Sequence, residues 1–456
     1  MKDNLLRISA FLYAFISIVN YFMDFDPLKY ALLIVLIYVL LISVTNIKRT
    51  SLIIFGSIFT IAIILMIRSG ADFSHWLEGL ITNNLLISLF ITGPLLQLPF
   101  TYEDYPYELK NIAKLYMRDL IPFAFLIAVP THIFAALTAF AAFNIMYSLF
   151  SDTSKLYDAE DIFLSTLVRS YATSGFWGIS WASVMLIVSM YQIPWYRFIL
   201  VAMIFVPVSI GINLAGIKIA MLRRPGFYPV LEPDMNSKVD WRKIRIILGL
   251  AFGIVLVTLI VNQVTGWNLL AIVPLVSIIF PLLTAAVQKK KKELKKGVFV
   301  FYDKQLYKVR TEIFLFTSAG LLAYSLNISG LSAKIPELIP AFLISYPYLM
   351  VIALMLLMVI PGIVGVHPVA SGTTLLAVIE PASIGLTVPA FLMAIVCAWS
   401  ISNMLSPFSA LNLTLSGLSG KSSWYTGLKL NWRYGMVCIL LYSGMCLTAG
   451  QLLVKS

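Results

Sequence analysis

Charge is scarce in this 456-residue chain: Asp, Glu, Lys and Arg make up 12% of it, against 60% apolar residues. A mean hydropathy of +0.91 lies outside the range of ordinary soluble domains. Histidine and cysteine are scarce too, at three residues each. Cys397, Cys438 and Cys446 stand isolated in apolar surroundings, with neither metal-ligand spacing nor a disulfide framework, so packing is their expected role. The apolar segments hold no HExxH zinc motif, no paired aspartates and no short-range Ser/His pair, which argues against an intramembrane enzyme. A phosphate-cradling Gly-rich Lys motif is also missing, so an ATP-driven site is not expected in this chain. The expectation is therefore no catalytic residue, no metal and no cofactor beyond Na+ or H+ as a coupling ion.

What is present is apolar length. Runs of about 18 to 25 residues recur from end to end, each able to cross roughly 30 Å of hydrocarbon as a helix. The chain reads as an all-α polytopic integral membrane protein of the cell membrane. Its first run, Leu5 to Met23, lacks a small-residue cleavage site and leads at once into another span, so it reads as a retained helix. The net charge of +12 does not point to nucleic acid, because the basic residues sit in short loops between spans. They cluster at Lys48 and Arg49, at Lys110, Lys114 and Arg118, from Arg223 to Arg245, and from Lys289 to Lys296. The positive-inside rule makes these loops, and the N-terminus, cytoplasmic.

Parity then shapes the topology. Spans at 5–23, 28–46, 51–67 and 80–99 precede the second basic cluster, and three apolar segments (120–149, 162–190, 196–220) lie between it and the third. Three crossings would end on the wrong side, so 120–149 is expected to dip and return as a re-entrant hairpin, with Pro130 and His132 at its tip. The second half is expected to cross at 246–264, 267–287 and 312–330 and to form a second hairpin at 340–379, turning near Pro361 to Pro368. Spans at 386–420 and 430–453 complete it. The plan is about eleven transmembrane helices plus two re-entrant hairpins in two inverted repeats, 1–245 and 246–456.

Landmarks recur in the same order in both halves. His132 is followed 42 residues later by Ser174-Gly175-Phe176, and Trp195-Tyr196 comes 21 residues after that serine; His367 is followed 39 residues later by Ser406-Pro407-Phe408, and Trp424-Tyr425 comes 18 further. Each serine triplet interrupts a long apolar segment with glycine or proline, beside hydroxyls and amides that can satisfy freed backbone groups. These segments, 162–190 and 386–420, read as broken helices. Inverted repeats with a hairpin and a broken helix are a common plan for secondary transporters.

The stretch GIVGVHPVASGTTLLAVIEP, with ISNMLSPFSALNLTLSGLSG after it, resembles the second-half signature region of the ion transporter superfamily, which includes the divalent anion:sodium symporters and related carboxylate and sodium/proton carriers. The resemblance implies eleven membrane segments plus one hairpin per repeat, a scaffold part and a transport part, elevator movement, and homodimers held by the scaffold. The chain departs from those symporters at the hairpin tips, where Pro130-Thr131-His132 and Val366-His367-Pro368 replace a Ser-Asn-Thr motif.

The resulting expectation is a secondary transporter of a small, anionic, carboxylate-type solute coupled to H+ or Na+. Thr131, His132, Ser174, Gly175, His367, Ser371, Thr373, Ser406, Ser409 and Asn412 are the expected substrate- or ion-binding residues. The two histidines either carry protons or lock the hairpin tips through backbone hydrogen bonds. Arg169 is expected to snorkel to the interface, with attraction of an anion as the alternative, Glu380 to sit at an outer mouth or in a solvated loop, and His75 to lie in an interfacial amphipathic piece. The alternatives are a cation/proton antiporter, which the scarcity of mid-span carboxylates disfavours, and a non-transporting membrane protein.

Overall fold

The computed structural model describes residues 2–454 except 45, 46, 48, 139, 180, 229, 231, 233, 307, 308, 335, 336 and 338. Lys48, one of the charges that orient the chain, lies outside them. Among the described residues every regular element is helical, as backbone groups in lipid require when no closed barrel is formed. The chain is an all-α polytopic membrane protein, with ten described helical segments long and apolar enough to cross a bilayer.

The first three spans are single helices, α1 (Lys2–Met23), α2 (Asp26–Val44) and α3 (Arg49–Arg68). The fourth is not one rod from 80 to 99. It begins at α4 (Phe73–Ile81), bends at Thr82-Asn83 into α5 (Asn84–Thr92), and ends in a 3₁₀ stretch, Gly93–Thr101, where Pro94 and Pro99 withhold backbone donors. His75 lies in the first turn of α4, capped by Asp72. A polar surface helix follows, α6 (Tyr105–Tyr116), and then the arms of the first hairpin, α7 (Leu120–Thr138) and α8 (Phe140–Leu156).

Here the sequence-based tip is wrong. Pro130, Thr131 and His132 lie inside α7, and the helix runs on past them to Thr138. A proline within a membrane helix is tolerated when packed neighbours re-satisfy the backbone it frees. The hairpin's ends still meet, since Phe123 near the start of α7 packs on Tyr157 just beyond α8, ring centroids 5.0 Å apart.

The first broken segment is α9 (Glu160–Thr173), a 3₁₀ turn at Ser174–Phe176, and α10 (Ala182–Tyr191); α11 (Trp195–Arg223) follows. The second half continues with α12 (Trp241–Thr265), α13 (Leu269–Val287), the lysine-rich α14 (Lys291–Val300) with its π-helical extension Phe301–Gln305, α15 (Arg310–Ile328), and two short pieces, α16 (Leu331–Lys334) and α17 (Ala341–Ser345). Asp240 and Asn268 cap α12 and α13 by accepting the Arg242 and Leu270 amides, and Gly266 ends α12 at φ +68°. A second pair of antiparallel arms, called the second hairpin, is α18 (Pro347–Ile363) and α19 (Pro368–Val378), with the turn at 364–367. Its ends also meet, because Gly385 lies against the Ile344 carbonyl. The second broken segment is α20 (Val388–Leu405) and α21 (Ala410–Ser419), followed by a π turn, Tyr425–Lys429, and α22 (Leu430–Val454).

Packing divides these helices into two groups. In one, α3 packs on α15, α1 on α2 and α5, and α13 on α5 and the 3₁₀ stretch. In the other, α7 packs on α9, α18 on α20, α20 on α22, and α9 on α20. The groups border where α19 lies on α15. One end of the molecule gathers the basic loops: Arg7 pairs with Asp303 (3.2 Å), Lys290 with Glu103 (2.8 Å) and Lys243 with Glu108 (3.2 Å), and Asp234 N–H donates to the Lys114 carbonyl (3.0 Å). Those contacts join Arg7 of α1 and three of the four basic clusters, those at 110–118, 223–245 and 289–296, to neighbouring polar segments.

Candidate functional site

The site is built where the two broken helices cross. A broken helix frees backbone carbonyls, and in an apolar interior each needs a donor. At the end of α9 the donors are side chains: Thr173 Oγ1 donates to the Ser170 carbonyl (3.2 Å), Ser174 Oγ to Tyr171 (2.6 Å) and Ser183 Oγ to Gly175 (3.0 Å). The Ala172 carbonyl is served from the other broken helix, by Ser400 Oγ of α20 at 2.6 Å. That bond fixes the crossing point.

The α20–α21 break is closed mainly by one residue. Asn412 Nδ2 donates to the carbonyls of Met404 (2.9 Å) and Ser406 (3.0 Å), while its backbone N–H is capped by Ser409 Oγ (3.2 Å). Ser406 Oγ accepts from Phe408 N–H (3.2 Å). Gly427 at the π turn permits this approach, since a Cβ there would meet Asn412 Nδ2 at 2.8 Å.

Each break is backed by a hairpin. Against the first lies α7, so closely that a Cβ on Gly178 would meet the Ala136 backbone at 2.8 Å, and Trp181 Nε1 donates to the Ala135 carbonyl (3.1 Å). His132 is buried in this contact: its Nε2 accepts from Trp177 Nε1 (2.9 Å) and its Nδ1 faces Thr173 Oγ1 (3.3 Å). Indole nitrogen only donates, so the ring presents an unprotonated Nε2, and in the neutral ring the proton sits on Nδ1. Against the second break lies the α18–α19 turn, where Gly365 at φ +109° abuts Phe408. His367 is the N-cap of α19, with Nδ1 accepting from Val369 N–H (3.1 Å) and Pro368 in the first helical position. Imidazole here does the work that Ser or Asp usually does.

Of the remaining expected residues, Thr373 spends its hydroxyl on the Val369 carbonyl (2.6 Å), and Ser371 is half-buried on α19. Gly175 packs under the Trp181 ring. Thr131 Oγ1 and Asn412 Oδ1 are buried with no hydrogen-bond partner among the described residues. Leaving such an atom unmade costs about 1–3 kcal/mol. Glu380 lines a cavity of about 490 Å3 with Tyr191, Asn327, Ser332 and Leu376, between the ends of α10, α15 and α19.

Arg169 does not snorkel. It sits nine residues into α9, about 14 Å from the helix start. Nε donates to Asn431 Oδ1 (2.9 Å), one terminal nitrogen to Asn213 Oδ1 (2.8 Å) and the other to the Leu430 carbonyl (2.9 Å), with the carbon centre 4.6 Å from the Tyr434 ring centroid. All these partners are neutral, and no carboxylate pairs with it among the described residues. An unpaired charge this deep is expensive, and two of its five N–H groups, one on each terminal nitrogen, remain available.

No model of a known protein family matches this sequence, and no curated protein does. Among solved structures the chain is similar to the YdaH transporter of Alcanivorax borkumensis, with a TM-score of 0.52 and 14% identity over 78% of this chain and 83% of that one. At that identity the likeness is one of fold.

Proposed function

We propose that the chain is a secondary transporter of a small carboxylate-type anion, and the observation that carries the reading is Arg169 held by neutral partners beside two crossed broken helices. A guanidinium with two free donors suits a carboxylate, and the solute supplies the charge that the protein withholds. The fold shared with a solved transporter supports membrane transport, and residues 362–420 resemble a superfamily that includes carboxylate and sodium/proton carriers. Thr131, Ser174, Gly175, Ser371, Thr373, Ser406, Ser409 and Asn412 form the path around it, with the free oxygens of Thr131 and Asn412 directed to solute or to a coupling Na+.

In this reading the two halves are inverted repeats, the hairpins are re-entrant, and the group built from α7 to α11 and α18 to α22 moves as an elevator against the rest, in a homodimer held by the latter. The basic face, with the N-terminus, is cytoplasmic. His132 and His367 hold the hairpins in place and do not carry protons.

The test is uptake of labelled mono- and dicarboxylates into proteoliposomes under separate Na+ and H+ gradients. Arg169→Gln is expected to lower kcat/KM by about 30-fold or more, the loss typical when one member of a buried charge pair is removed. Unchanged kinetics in Arg169→Gln would remove the anion role. Na+/H+ exchange without anion uptake would replace the reading with an antiporter.

A further inference from the structure

The lysine-rich α14 has no place in the transport path, yet it is built with two distinct faces. At about 100° per residue, Lys291, Lys295, Phe299, Lys292 and Lys296 fall in that angular order within about 140° of arc. All five are exposed, and Phe299 is 69% accessible despite being wholly apolar. The opposite face is clamped to the protein. Gly297 lies so near the 3₁₀ stretch that a Cβ would meet Leu98 Cδ2 at 2.7 Å, and Leu294 packs against the core. Just ahead of the helix, Lys290 is tied to Glu103 at 2.8 Å, and that hydrogen bond raises the Lys290 pKa above its usual value.

The height of this helix in the membrane follows from its neighbours. Val287, 83% exposed, is the last residue of α13, which is long and apolar enough to cross a bilayer, and Lys291 begins α14 four residues later. The outward face therefore lies at the level of the headgroups. Four ammonium groups that make no ion pair among the described residues, set around an aromatic ring, form an arrangement that attracts lipid phosphate and buries the ring among the upper acyl carbons. Topology alone needs only the charges; it does not require them on one face, nor a phenyl ring among them.

We infer that α14 is a rigid interfacial platform that binds anionic phospholipid headgroups through Lys291, Lys292, Lys295 and Lys296, with Phe299 inserted between them.

The full-length protein in detergent would be titrated with phosphatidylglycerol, phosphatidylcholine or free glycerol phosphate, and bound lipid counted by native mass spectrometry. The expected result is retention of phosphatidylglycerol over phosphatidylcholine by at least about tenfold, lost in high salt, since each lysine near an anionic surface contributes appreciably. The quadruple Lys→Gln variant at 291, 292, 295 and 296 should lose the preference, the matching quadruple Lys→Arg variant should keep it, and Phe299→Ser should weaken binding of the lipid but not of glycerol phosphate. A preference that survives high salt in the wild-type protein, or that the Lys→Gln variant retains, overturns the inference and leaves the lysines as topology signals only. Equal binding of glycerol phosphate and phosphatidylglycerol overturns the lipid assignment.

Discussion

Trp177 Nε1 donates to His132 Nε2 across 2.9 Å, joining the first hairpin to the break in α9. The bond decides how the ring can behave: a second proton on Nε2 would place two donors face to face, so the indole would have to leave first. His132→Gln, whose amide oxygen can take over as acceptor, is expected to leave the pH profile of transport unchanged. His132→Ala should destabilise the fold by about 1–3 kcal/mol, because the indole N–H loses its acceptor. Uptake measured across pH together with thermal unfolding in detergent checks both, and a flattened profile in His132→Gln would restore the proton-carrier role.

Gly178 and Gly211 make a matched pair of substitutions. A Cβ on Gly178 would meet the Cα and carbonyl oxygen of Ala136 at 2.8 Å, and backbone cannot swing aside as a side-chain tip can. Gly178→Ala should cost about 1–3 kcal/mol and loosen α7 from the break. Gly211, inside α11, has open space around it, so Gly211→Ala should be neutral or stabilising by up to about 1 kcal/mol. Melting temperatures of the two variants, side by side, give the comparison.

His367→Ala removes the cap of α19 and should cost about 1 kcal/mol, while His367→Asn or His367→Ser, both good capping residues, should restore most of it. Gly365→Ala should cost more than the lost cap, since φ +109° disfavours any side chain and the new Cβ would press on Ile54 and Phe408. Denaturant titrations of the four variants rank them.

Asp72 caps α4 outside the spans, and hydrogen bonds from the His75 backbone and ring hold its pKa below the ordinary 3.8. A carboxyl whose folded pKa is depressed contributes stability that is fully present above its unfolded value and is lost as pH falls through the folded one. The difference in melting temperature between wild type and Asp72→Ala should therefore be constant near neutrality and shrink towards zero in acid. A difference that grows in acid would contradict the assignment.

Much of this architecture is legible in the residues themselves. Gly and Pro beside Ser and Asn mark both broken helices, and Pro361 to Pro368 mark the neighbourhood of the second turn. Pro130 misleads for the same reason, as a breaker in an apolar run. The first hairpin continues to Thr138 through a stretch free of Gly and Pro, where periodicity offers no sign of a turn. For Arg169 it is the favoured reading, snorkelling, that fails. Its nearest side-chain partner in sequence, Asn213, is 44 residues away and Asn431 is 262 away, so nothing local separates an anchored guanidinium from one reaching for water. Trp177 and Ser400, polar at only one atom each, likewise gain their roles from what they meet.

The bond from Ser400 to Ala172 spans 228 residues of sequence, and the cradle of Arg169 is completed only at Leu430 and Asn431. During synthesis α9 is made long before either arrives. A carbonyl and a guanidinium of the early half are thus expected to wait in the translocation machinery or in water until the last two membrane segments emerge, so truncation after α19 should leave the first half inserted with the Ala172 carbonyl and the Arg169 guanidinium short of these partners. Assembly of this protein is a matter of timing as much as of affinity: two groups of its early half are among the last to settle.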